Sequence, residues 1–179
     1  MNGTPTPITV HDRWLQGDVY RQDQIFASGT PRSYFYNGRF AWLGVPGYVD
    51  PMPPDVLAQV RGEVFRLLFR LALSDRDPKR QVAAPGGNVI LVNAGDKYSV
   101  RIHVDPKTNL PQRVLSRWAL ASGAVVSIEE TLSGWREFDG VQWPTRIETR
   151  RNGRKSDDVT VVEARFNTGL KAADLERKP

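Results

Sequence analysis

Hydrophobic and polar residues alternate with a period of two over much of the chain, which is typical of half-buried β-strands. The clearest segment is "YSVRIHV", in which Tyr98, Val100, Ile102 and Val104 fall on one face and polar residues on the other. About four such segments precede the middle of the chain and about six follow it, joined by Asn-Gly and Asp-Gly turns. The pattern predicts an antiparallel, sheet-rich protein of about ten strands.

One segment between the two sets of strands has helical spacing instead. Its prolines permit a helix to begin near Asp55, and "SDRDP" ends it. Gly62 lies inside this helix at a cost of about 1 kcal/mol relative to Ala, which indicates close approach by a neighbour. A helix this apolar is enclosed by the rest of its domain. The apolar stripes of the helix comprise Leu57, Val60, Val64, Phe65, Leu68, Phe69, Leu71 and Leu73.

These elements predict an α+β fold. A long antiparallel sheet with one dominant helix is expected to curl into an incomplete β-barrel, with the long apolar helix in its concave face. Because strands and helices do not alternate, a Rossmann sheet is not expected. We predict a single domain over residues 8–170, a start at 1–7 that is disordered or not native, and a flexible charged tail at 171–179.

Composition narrows the possible functions. The 179 residues contain no Cys, which excludes disulfides, thiolate metal sites and cysteine nucleophiles. No apolar run is long enough to span a bilayer, and no signal peptide is visible. The net charge of +5 indicates a generally basic surface. Arginines interleaved with aromatic residues, or a helix-turn-helix, would indicate nucleic-acid binding, and neither is found, so we predict no nucleic-acid partner.

Catalytic motifs are also missing from the sequence. There is no G-x-S-x-G, P-loop or G-x-G-x-x-G motif, and His11 and His103 lack the spacing of a zinc site. Glu129 and Glu130 are adjacent on a strand, so their side chains point to opposite faces and cannot work as a pair. We therefore predict no catalytic residue, no metal site and no cofactor.

Two sequence segments resemble proteins with the LolA/LolB-like fold. The proteins that give this fold its name sort lipoproteins to the outer membrane. The turn "VDPKTNLPQRV" at 104–114 is similar to their D-P-x-T-G-L-P hairpin, with Asn109 in place of Gly. "FDGVQWPTRIE" and the residues that follow it, up to Leu170, resemble their closing strands. The expected Phe near the C-terminus is replaced by Leu175. The stretch that runs from "GRFAWLG" to "LAQVRGEVFRLLFRLAL" looks most like domains appended to bacterial pitrilysin/insulinase-type zinc metallopeptidases.

This resemblance implies an envelope-associated, periplasmic or otherwise extracytoplasmic domain without catalytic activity. It implies a half-barrel cavity that binds an acyl chain, a lipidated protein or another hydrophobic ligand. Arg66 and Arg70 would contact an anionic head group, unless they only solubilise the helix. The candidate cavity-lining residues are Leu57, Val64, Phe65, Leu68, Phe69, Trp118, Trp143, Ile147 and Phe166.

Two other functions stay open. The chain could be a structural or docking domain, covalently linked to an upstream peptidase domain and with no ligand of its own. It could also be a small cofactor-free enzyme that uses the same cavity, although no acid–base constellation supports this reading. Fold alone does not decide among the three.

The segment from Phe138 to Asn167 predicts the closing hairpin of the sheet. Asn152-Gly153 suits a type I′ turn, and Pro144 suits an edge or a bulge because it cannot donate a ladder hydrogen bond. Trp143, Ile147, Val162 and Phe166 are predicted to face the concavity.

Overall fold

The computed structural model describes residues 7–95 and 97–179, so the predicted start at 1–7 lies almost wholly outside the described residues. Two antiparallel sheets, of five and seven strands, are formed there. The chain divides into two compact units. Among the described residues, the first unit comprises 7–60 and Asn167–Pro179, and the second comprises 61–166 apart from residue 96.

The first unit is a meander of five strands hydrogen-bonded in sequence order. In the turn after the third strand, the Asn37 side chain accepts hydrogen bonds from the backbone N–H groups of Arg39 and Phe40, which confirms the predicted Asn-Gly hairpin. Phe35, Trp42 and Leu175 form its buried core. The strands are β1 (Thr9–Trp14), β2 (Val19–Ile25), β3 (Pro31–Asn37), β4 (Ala41–Val45) and β5 (Tyr48–Pro51).

The last nine residues correct the prediction of a flexible charged tail. They contain a short helix, α3 (Ala172–Glu176), whose Leu175 side chain is fully buried against Phe35 and Trp42. At its start, the backbone N–H of Lys171 donates to the Asp174 carboxylate, and the backbone N–H of Asp174 donates to the carbonyl oxygen of Lys171. The charged composition of the segment gave no indication of its single anchoring leucine.

The second unit carries the seven-stranded sheet, in which every neighbour in sequence is also a neighbour in space. Asn152 and Gly153 both have positive φ in the last turn, as the predicted type I′ hairpin requires. The strands are β6 (Gln81–Gly86), β7 (Val89–Ala94), β8 (Tyr98–Val104), β9 (Pro111–Ala119), β10 (Val125–Phe138), β11 (Val141–Arg151) and β12 (Arg154–Thr160).

The predicted single curved sheet of about ten strands is wrong, because twelve strands divide between two sheets. Neither sheet closes into a barrel, and β6 and β12 are the free edges of the larger one. Two strands were missed because prolines and glycines disguise them. Pro51 ends β5, and β6 contains Pro85. An edge strand tolerates proline because half of its backbone groups point away from the sheet, where the absence of an N–H breaks no ladder hydrogen bond.

The predicted single long apolar helix is also wrong. It is divided into α1 (Pro54–Arg66) and α2 (Leu68–Ala72), followed by a 3-10 turn at Ser74–Arg76. Leu67 is extended, with φ −50° and ψ 128°. Beside this break, Arg80 donates to the carbonyl oxygen of Phe65 at 3.0 Å, a group that a continuous helix would pair with the N–H four residues on. This distant arginine stabilises the break and gives no periodic signal.

The prediction for Pro144 is met in part. β11 is an inner strand, since β10 and β12 flank it, but β12 pairs with it only from Arg146 to Arg151. Pro144 lies beyond that pairing and is fully buried. Val162 was predicted to face the concavity, yet it follows the end of β12 and is 87% exposed.

Candidate functional site

The candidate site is the buried face of the seven-stranded sheet and the helical residues that cover it. The sheet contributes residues from five strands, and the helical segment contributes Phe65 and Leu71. Alternation along the strands places their side chains on one face, as the sequence predicted for β8. The buried sheet residues of this cluster are Val92, Val100, Ile102, Val114 and Leu132.

Gly62 brings α1 close to this face. A Cβ atom at Gly62 would lie only 2.5 Å from the six-membered ring of Trp118, so any side chain there would overlap the indole. The close approach predicted from the helical glycine is confirmed. One turn along, the ring of Phe65 stacks on Tyr98 with centroids 5.1 Å apart. The cover is therefore fitted to the aromatic residues of β8 and β9.

Arg80 fastens the cover where the helix breaks. Its guanidinium is buried, lies 4.4 Å above the ring of Phe65, and donates to the backbone carbonyls of Phe65 and Arg70 and to the Ser74 hydroxyl. Asp77 supplies a countercharge at 3.4 Å and is the more exposed partner. We call this arrangement the Arg80 clamp.

A charged pair crosses from the cover to the sheet. Arg66 in α1 donates to the carboxylate of Glu130 in β10, and both side chains are about 15% exposed or less. Arg70 lies 3.9 Å from Asp77. The two arginines predicted to bind an anionic head group thus have carboxylate partners within the chain, with which a head group would compete.

Two polar atoms beneath the cover make no hydrogen bond within the described residues. They are the Ser116 hydroxyl oxygen and the Trp118 indole nitrogen, on successive inward positions of β9. Both residues are 4% exposed. Buried polar atoms in native proteins usually have a partner, so each of these is available to a bound water or ligand oxygen.

The predicted lining residues fall into separate places. Phe65, Leu68 and Ile147 meet in the main cluster, and Trp118 belongs to a neighbouring one with Val126 and Ile128.

The remaining predicted lining residues are not members of these two clusters. Trp143 and Phe166 contact each other edge to face, with centroids 5.6 Å apart. Val64 is buried and Phe69 half-buried, whereas Leu57 belongs to the first unit.

Sequence reasoning missed Glu130 and Ser116 as parts of this face. Glu130 was considered only as a partner for Glu129, although it interrupts an inward row between Ile128 and Leu132. Ser116 likewise lies between the inward Val114 and Trp118. A polar residue inside an otherwise apolar alternating row is the signal that could have identified both.

Surface depressions lie at the margin of this face, where Ile90 and Val104 line one of them, and in the first unit. One, of about 310 Å³, lies beside β6, and one of about 270 Å³ lies in the first unit near Phe26 and Arg32. In the described part of the chain, no three His, Asp or Glu side chains are grouped as metal ligands. No helix there has the length and hydropathy needed to cross a membrane.

Comparisons with protein families, characterised proteins and solved structures gave no match. The resemblance to the LolA/LolB-like fold therefore stays a prediction.

Proposed function

We propose that the chain is a non-catalytic, extracytoplasmic binding domain whose second unit holds an apolar chain on the covered face of its sheet. The ligand is the acyl chain of a lipid or of a lipidated protein. The observation that carries the proposal is a wide apolar face covered by a broken helix rather than by a continuous one. Movement of the short α2, which carries Leu68 and Leu71, would expose that face while α1 stays in place.

The unsatisfied atoms beneath the cover support the same ligand class. A fatty-acid carboxylate accepts hydrogen bonds, and both the Ser116 hydroxyl and the Trp118 indole N–H can donate them. The buried Val114 and Ile128 flank this position and suit an aliphatic chain. A fatty acid has one polar end and one apolar chain, and the face likewise offers polar donors beside apolar side chains.

A displacement titration with a dansyl-labelled fatty acid tests the proposal. We expect palmitate to displace the probe at about tens of micromolar. Leu71→Ala should change the affinity by about fivefold or more, because it alters the surface that the ligand replaces. Leu175→Ala is the matched control, since it removes the same atoms from a buried position in the first unit and should leave the affinity unchanged. Absence of displacement in the wild type would overturn the proposal.

Ser116→Val separates binding from folding. Valine is apolar, like the inward residues beside it on β9, and it removes a buried hydroxyl without a partner, so the free energy of unfolding should rise. If the hydroxyl contacts the ligand, affinity should fall in the same variant. A rise in stability with unchanged affinity would remove Ser116 from the ligand site.

A second candidate function is a docking domain attached to a zinc metallopeptidase, with the interior permanently closed. The observation in its favour is the filled interior, in which Val92 and Val100 have no exposed surface. An H-x-x-E-H motif upstream in the same reading frame, together with a failed displacement titration, would favour this function over the first.

A further inference from the structure

Two charged pairs cross between the sheet and α1. Arg66 in α1 donates to the carboxylate of Glu130 in β10. Glu63, in the same helix, lies 4.0 Å from the guanidinium of Arg151 in β11. Each of these helical charges therefore faces an opposite charge on the sheet, and the two pairs together carry no net charge.

The other arginines of the helical segment with little exposure are also engaged by oxygen atoms of the chain. Arg70 and Arg80 share the carboxylate of Asp77, and Arg80 donates as well to two backbone carbonyls. On β12, the acidic Asp157 is exposed in the same row of the sheet as Glu130. An anionic head group would therefore have to replace an oxygen atom of the chain at one of these arginines.

Glu130 lies next to the two polar atoms that make no hydrogen bond within the described residues. On β9, Ser116 and Trp118 follow Val114, and Val114 is directly opposite Glu130. Ser116 is thus a diagonal neighbour of Glu130 on the same face, at a separation of about 7–8 Å. A carboxylate held at Ser116 would lose its hydration without gaining a counter-charge, because Glu130 already neutralises Arg66.

An ester or amide carbonyl group would not meet this cost. Its oxygen atom is uncharged and can accept two hydrogen bonds. The face offers two donors for it, the Ser116 hydroxyl and the Trp118 indole N–H. The electrostatics of the face therefore favour an esterified or amide-linked acyl chain over a free fatty acid.

We propose that Glu130 is a specificity-determining residue of the covered face. By neutralising Arg66, it disfavours free fatty acids relative to acyl chains that are joined through an uncharged ester or amide. This inference rests on the proposed function, since it names which acyl ligands the face selects.

Displacement of the dansyl-labelled fatty acid by two ligands with the same acyl chain tests the inference. The ligands are palmitate and 1-monopalmitoylglycerol, compared at about pH 8, where carboxylic acids are ionised. We expect the neutral ester to bind the wild type at least about tenfold more tightly than palmitate does. Glu130→Gln should tighten palmitate binding about tenfold, because it leaves Arg66 as a counter-charge, and should change the affinity for the ester less than about twofold.

Two further variants control for the charge change. Glu129→Gln is the matched control, because Glu129 points to the other face of β10 and pairs with Arg113 at 2.8 Å. It should leave both affinities as in the wild type. Arg66→Gln is the opposite charge change and should weaken palmitate binding further than binding of the ester. The comparison of the two ligands on the wild-type chain needs no variant, so it decides even where a variant fails to fold.

Three results would count against the inference. Palmitate that binds the wild type as tightly as the ester, or more tightly, would overturn it. An unchanged ratio of the two affinities in folded Glu130→Gln would also overturn it. Failure of both ligands to displace the probe would instead overturn the proposed function, and this inference with it.

Discussion

A buried arginine holds a short helical segment in each of the two units. Arg21 donates to the carbonyl oxygens of Leu175 and Arg177 and lies 5.6 Å from the ring of Trp42. Arg80 donates to the carbonyl oxygens of Phe65 and Arg70 and lies over Phe65. Each residue is 8% exposed. Both use a charged side chain to satisfy backbone groups that a helix end leaves without partners.

The contacts of Arg21 form a second clamp, the Arg21 clamp, which differs from the Arg80 clamp in its carboxylate. Both carboxylate oxygens of Asp23 accept from the Nε–H of Arg21, and they also accept from Arg13 and Ser33. Only 13% of the Asp23 side chain is exposed. Asp77 lies 3.4 Å from Arg80 and is 31% exposed. The Arg21 clamp is therefore closed by a buried network, and the Arg80 clamp by a wetter and longer contact. This difference supports the proposal that the cover of the second unit is the one that opens.

The largest expected effect comes from removing the two arginines. Arg21→Met should lower the free energy of unfolding by about 4 kcal/mol, because it leaves Asp23 buried beside unpaired carbonyls. Arg80→Met should cost about 2 kcal/mol, since water can solvate Asp77. Urea unfolding followed by tryptophan fluorescence measures both. Equal losses of unfolding free energy in the two variants would contradict the difference inferred between the Arg21 and Arg80 clamps.

The fit of the cover to the sheet is tested by Gly62→Ala. On an open helix this change stabilises by about 1 kcal/mol. Here the new methyl group would overlap Trp118, so we expect a loss of about 1–3 kcal/mol instead. The sign of the change in the thermal unfolding midpoint decides between these two outcomes. A higher midpoint would mean that α1 lies farther from β9.

The Arg21 clamp should weaken in acid. Burial alone would raise the pKa of Asp23, but hydrogen bonds from Ser33 and Arg21 outweigh it and hold the pKa below its usual 3.8. The stabilisation is therefore present above pH 3.8 and is lost as pH falls through the lowered pKa. Amide exchange in Ala172–Glu176 should accelerate over that range, and it should lose this pH dependence in Asp23→Asn.

The smallest effect on stability is expected at the exposed ion pairs of β11 and β12. Hydrogen bonds from Arg146 and Lys155 lower the pKa of Asp158 to about 2. Lys155→Gln should raise that pKa toward its usual value in a carboxyl-carbon NMR titration. Because these side chains are on the surface, the unfolding midpoint should hardly change. A marked loss of stability would show that exposed pairs here act like the buried clamps.

Local patterns predicted the strands well. Alternation predicted the inward row of β8, and turn residues predicted the hairpin at Asn37. A glycine inside a helix predicted the close approach at Gly62. The helix break was not readable, because it is stabilised by Arg80, fifteen residues from the carbonyl of Phe65. The division into two sheets likewise depends on which strands pair, which alternation does not specify.

The candidate site was predicted in part for the same reason. Phe65, Leu68 and Ile147 pack in one cluster because their positions follow local periodicity, and their role as a cavity lining stays a prediction. Trp143 and Phe166 pair with each other, since the chain beyond Thr160 leaves the sheet. Polar residues within apolar rows, such as Glu130, are missed by a prediction that follows apolar periodicity alone.

Amide exchange with and without a saturating fatty acid tests the central claim most directly. If the cover of the second unit gives way to an apolar chain, exchange in Leu68–Ala72 should change by about tenfold or more on addition of palmitate. Exchange in Ala172–Glu176, held by the Arg21 clamp, should stay the same. Unchanged exchange in both helices at saturating ligand would contradict the account.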